Sequence, residues 1–244
     1  SRPHGIVWRD DRNAAVTVEA NRALITINAD TGEVVQEVAT DAEVSHMVAL
    51  APGQSRAFVA NIGSGSVTVI DLAAGKRLAT IATGDGAEGI AVTPDGRQVW
   101  VTNRAADTIT VLDAETLEPL AELEAGSFPI RAEATADGRW VLVTNARGND
   151  LSVFSTEDLE EVHRVAFASV SKDVEGRLFS DRFGASSVPI GIEVVSDKMV
   201  AYVAHANADD ISIIDLEDWR VIGTLAAGRE PDGMGYSPRT SADR

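Results

Sequence analysis

The sequence predicts an all-β fold, a β-propeller of four-stranded antiparallel blades, on three observations. One string recurs at fixed spacing: the landmarks His4, His46, Glu88 and Ile130 lie 42 residues apart, Ile190 follows after 60, and Asp232 after another 42. Each copy is built of short runs in which apolar and polar residues alternate, as Val99 and Val101 do against Gln98 and Thr102. That period of two belongs to strands, not helices. Turn residues punctuate the runs at constant places, giving four strands per repeat, the content of one propeller blade.

Taken in order, the blades span about 3–44, 45–86, 87–128, 129–188 and 189–230, and a partial sixth covers 231–244. Five repeats are complete and one strand of a sixth is visible, so a parent ring of six or seven blades is expected, in a single domain over 1–244. Strand A opens each repeat at its landmark. Pro94-Asp95-Gly96 and Ala136-Asp137-Gly138 then supply a tight turn into strand B, since Gly tolerates positive φ and Asp caps its own following backbone. Strand B ends at Glu19, Asn61, Asn103, Asn145 and His205, strand C closes on Asp71, Asp113 and Asp215, and strand D follows as the outer edge. The fourth repeat carries 18 extra residues, an insertion at 167–187 between strand D and the next strand A. Loops of that length in compact domains are usually functional or disordered, and Phe167, Phe179 and Phe183 give this one apolar anchors. It is expected to form a partial lid.

Composition narrows the partners. With 38 acidic residues against 21 Lys and Arg, the net charge of −17 repels phosphate backbones and anionic headgroups, so no nucleic-acid partner is expected. No apolar run reaches the length of a membrane helix, so no membrane span is expected. The absence of cysteine excludes disulfides, thiolate metal sites and cysteine nucleophiles. Ser1 in place of Met is read as a processed or trimmed start.

Because A and B are antiparallel, the start of A and the end of B meet on one face, the mouth of the central channel. Three of the four histidines, His4, His46 and His205, fall there, joined by Glu19 and Glu88. Imidazole with carboxylate suits a divalent transition metal, so His4, Glu19, His46 and Glu88 are the candidate metal ligands. Arg104 and Arg131 reach the same face, where they would bind an anion or pair with Glu88. Asn61, Asn103, Asn145 and His205 complete the candidate ligand-binding set, although an Asn recurring in three blades equally suits a structural tie.

The strings Trp100-Val-Thr-Asn103, Leu142-Val-Thr-Asn145 and Phe58-Val-Ala-Asn61, each after its turn, resemble the YVTN repeat of surface-associated and periplasmic bacterial and archaeal propellers. That resemblance implies a periplasmic or extracellular protein. Its mouth would serve as a binding surface for a small molecule, glycan or protein. The alternative is a metal-dependent hydrolase or lyase of lactonase type, with a divalent ion held at the mouth. A third reading, self-association through an open blade edge, follows from the incomplete sixth repeat.

Overall fold

The structure, a computed structural model, describes residues 2–170, 174–177, 179 and 182–237. Five four-stranded antiparallel sheets follow one another along the chain. Blade 1 holds β1 (Pro3–Trp8), β2 (Asn13–Val18), β3 (Ala23–Asn28) and β4 (Val34–Ala39), and blade 2 holds β5 (Ser45–Leu50), β6 (Arg56–Asn61), β7 (Ser66–Asp71) and β8 (Lys76–Ala82). In blade 3 the strands are β9 (Ala87–Val92), β10 (Gln98–Asn103), β11 (Thr108–Asp113) and β12 (Pro119–Glu124). Blade 4 is β13 (Pro129–Ala134), β14 (Trp140–Asn145), β15 (Asp150–Ser155) and β16 (Glu160–Ala166), and blade 5 is β17 (Pro189–Val195), β18 (Val200–His205), β19 (Asp210–Asp215) and β20 (Arg220–Ala226).

The turns form for the reasons their residues give. Gly96 and Gly138 sit at φ of 73° and 72°, and Thr93 and Thr135 donate their hydroxyls to Asp95 and Asp137 at 2.6 Å. Asp71, Asp113 and Asp215 accept the backbone N–H groups that follow strand C, closing the turn into strand D.

Alternation puts one face of each sheet against the blade before it and the other against the blade after. Val38 and Leu24 of blade 1 thus pack on Val59 and Ile70 of blade 2, while Trp100 and Val111 of blade 3 meet Val143 and Phe154 of blade 4. The equivalent positions Phe58, Trp100 and Leu142 are wholly buried between blades. On blade 1, Ile6 and Trp8 face away from blade 2 and are exposed by 63% and 56%.

The sixth repeat departs from expectation. Residues 231–237 run beside β17 without becoming a strand, and 238–244 lie outside the described residues. Their path still follows that of an inner strand. Glu133 of β13 accepts the N–H of Val194 in β17, and Glu193, its counterpart in β17, accepts the N–H of Tyr236 in the tail. A ladder needs a partner strand, and the tail has none among the described residues.

Candidate functional site

The mouth is set by a bulge near the start of each inner strand. Ser45 pairs with Asn61, Ala87 with Asn103, Pro129 with Asn145 and Pro189 with His205, with an irregularity just after each. Threonines one step before the end of strand B repair the ladder. Thr17 accepts the Gly5 N–H at 2.8 Å and donates to the His46 carbonyl at 2.6 Å; Thr102 accepts the Gly89 N–H at 2.8 Å, and Thr144 donates to the Ile190 carbonyl at 2.9 Å. His46 is thereby held by its backbone to the blade before it.

Glu19 does not stand at the Asn position. The A to B connection of blade 1 is one residue shorter than its counterparts, so Val18 pairs with Pro3 in the register that Asn61 keeps with Ser45. Glu19 is the next residue, the place that Arg104 holds in blade 3. Alignment by landmark spacing missed this because it carries no information on turn length.

From these places a belt of charge crosses the mouth. Arg2 lies 3.6 Å from Glu19, and Glu19 Oε1 is 2.7 Å from His46 Nδ1. His46 Nε2 donates to Glu88 Oε1 at 3.1 Å, Arg131 reaches the same oxygen at 3.0 Å, and Arg104 pairs with Glu88 Oε2. Arg131 Nη2 then lies 3.6 Å from Asp232 in the tail. Blades 1 to 4 and the tail all contribute to it. Burial alone would raise the Glu88 carboxyl, but His46, Arg131 and Arg104 together hold it down to about 2.

His4 is exposed and stacks its ring on His46 with centroids 3.5 Å apart. Burial of the ring, then His46 and Arg131 beside it, lower its pKa, which favours the neutral imidazole that a metal requires. Ligand atoms of His4, Glu19 and His46 all lie within 4.8 Å of one another. Glu88 stands outside that group, with its oxygens engaged by His46 and the two arginines. Arg104 and Arg131 both pair with Glu88, the second of the two roles their position allowed.

The strand-end amides are tucked inside the blades. Asn61, Asn103 and Asn145 are wholly buried, and each donates from Nδ2 to side chains five and seven residues on. They join strand B to strand C. His205 occupies the same place in blade 5, 2% exposed, with Nδ1 2.7 Å from Ser187 Oγ and Nε2 2.8 Å from Ser212 Oγ. Burial lowers its pKa to about 4.

Comparison with known proteins places this geometry. Residues 9–177 match the family described as the cytochrome D1 heme domain. The chain belongs to that family. Among solved structures it is similar to hydrazine synthase of Kuenenia stuttgartiensis, at 15% identity and a TM-score of 0.66 over 95% of this chain and 88% of that one. A streptogramin B lyase structure matches at 15% identity and a TM-score of 0.75, over 93% of this chain and 69% of that one. At such identities these likenesses speak for the fold. No curated protein matches.

In this member of the cytochrome D1 family the mouth does not fit a heme. His4 offers an imidazole at the mouth, but an axial ligand alone does not hold the group. A macrocycle also needs apolar walls, whereas the belt carries ion pairs across blades 1 to 4. The apolar part of the mouth is filled: the insertion lays Phe183, with Phe179 stacked on it at 5.3 Å, against Phe128, Ile130, Ala146, Ile190 and Ala206. Residues 171–173, 178, 180 and 181 of the insertion lie outside the described residues. The mouth is thus two halves, polar over blades 1 to 3 and covered over blades 4 and 5. No helix among the described residues is long and apolar enough to cross a membrane.

Proposed function

We propose that this chain is a periplasmic or extracellular binding propeller whose mouth holds a divalent transition metal on His4, Glu19 and His46. A small polar ligand would complete the metal's coordination. The convergence of those three ligand atoms within 4.8 Å carries the reading. Two imidazoles and a carboxylate suit zinc-like ions and leave a coordination position open. Glu88 supports this set from behind. With a metal in place of the Nδ1 proton, Glu88 would accept the Nε2 proton of His46 and hold the ring, as carboxylates behind metal-bound histidines do. The YVTN-like repeat supports the extracytoplasmic placement.

Metal-dependent hydrolysis or elimination is the second reading, favoured by a cavity of about 300 Å3 lined by Arg2, Glu19, Ala20, Arg22, Glu43 and Val44. It adjoins Glu19, and Arg2 and Arg22, which pair with Glu19 and Glu43 at its rim, would meet an anionic substrate there. A bound divalent ion would supply a Lewis acid able to acidify a water. The likeness to streptogramin B lyase supports this reading by fold only. Calorimetric titration with Zn2+ tests the site and its support together. Glu88→Gln should weaken zinc about 10- to 100-fold, and an unchanged affinity would remove Glu88 from the account.

A further inference from the structure

Among the described residues, the hydrogen bonds around His205 set the direction in which its proton lies. Asn149 Nδ2 donates to the Phe167 carbonyl at 2.9 Å, so its Oδ1 is an acceptor, and it receives the Ser187 N–H and hydroxyl, both at 2.7 Å. Having spent its single proton there, Ser187 Oγ takes the Nδ1–H of His205. Nε2 is left with its lone pair, pointing at the Ser212 hydroxyl 2.8 Å away. Phe167 packs its ring edge-on to the imidazole at 4.6 Å and holds it in plane.

Both groups line a cavity of about 220 Å3 between blades 4 and 5, walled by Ala166, Phe167, Ala168, Val221, Thr224 and Asp210. Blade 4 has Asn145 and Ser152 at the two equivalent positions, 2.9 Å apart with the amide as donor. Exchange of Asn for His therefore reverses the bond and turns a serine that receives a proton into one that gives it.

We propose that Ser212 and His205 form a nucleophile and base pair that takes short acyl groups from esters. Ser212 Oγ bonds to the acyl carbon while its proton passes to His205 Nε2. Collapse of the adduct expels the alcohol, which leaves with that proton. Water, deprotonated by the same nitrogen, then releases the acid and restores the hydroxyl. Ser187 and Asn149 are positioning residues that hold the tautomer.

A fluorophosphonate probe, attacked at phosphorus with loss of fluoride, tests the pair in the full chain, with the labelled peptide mapped by mass spectrometry. Labelling is expected on Ser212 and not on Ser152, and His205→Asn should slow it by about 100-fold or more. That variant rebuilds the Asn and Ser joint of blade 4, so it is expected to fold, and its melting curve checks this. Absence of label on Ser212, equal labelling of Ser152, or an unchanged rate in folded His205→Asn would each overturn the proposal.

Discussion

At the scale of single residues, charge and burial decide what each mouth side chain is able to do. Glu88 is 3% exposed in its side chain and is the common partner of two arginines and a histidine. Glu88→Gln would leave Arg104 and Arg131 without their counter-charge, and removing one partner of a buried pair costs about 3–5 kcal/mol, a loss that urea unfolding at neutral pH would register. His205 gives a signed pH dependence. Its pKa is about 4 folded against 6.5 unfolded, so on acidification the unfolded chain takes up the proton first. Stability is therefore intact above about pH 6.5 and falls between there and pH 4, by on the order of 3 kcal/mol from this group. His205→Asn should flatten that segment of the stability curve, and an unchanged slope would assign the acid loss elsewhere. His4, His46 and Glu19 were legible as mouth residues, since blade repetition alone puts them there. Glu88 reads as a ligand by position alone, and of the two roles open to Arg104 and Arg131 the pairing with Glu88 is the one found.

Strands and turns were the most legible level, since alternation and turn chemistry act locally. The bulge after the first residue of each inner strand was not legible, because it depends on how closely adjacent blades approach. Gly89 shows the constraint: a Cβ there would lie 2.7 Å from the Arg131 Cα and the Ile130 carbonyl oxygen. Neither backbone atom is free to retreat. Gly89→Ala is accordingly expected to destabilise the protein by about 1–3 kcal/mol, measured by thermal or chemical unfolding, and a neutral result would mean that blades 3 and 4 separate more easily than their packing implies. The insertion was legible in length and in its aromatic anchors. That Phe183 would cover only blades 4 and 5 follows from the apolar residues Ile130 and Ile190 at their landmark positions, which the repeat motif does not determine.

At the scale of the whole molecule, the radial arrangement of blades brings groups that are 42 residues apart in sequence into one constellation. Such contacts are invisible to local reading, since the spacing reports the repeat and not the ligand. The landmark residues His4, His46 and Glu88 on one side and Ile130 and Ile190 on the other divide the mouth into a charged half and a covered half. Family membership fixes the architecture, while the belt of ion pairs sets this chain apart from a heme-holding mouth. The most direct test is elemental analysis of the purified protein after zinc loading, beside His4→Ala. His4 is exposed, so its removal spares the core and the belt. Near-stoichiometric zinc in the parent, and its loss in the variant, is the result predicted from the geometry of His4, Glu19 and His46. Absence of metal from the parent, or equal metal in both proteins, would contradict it.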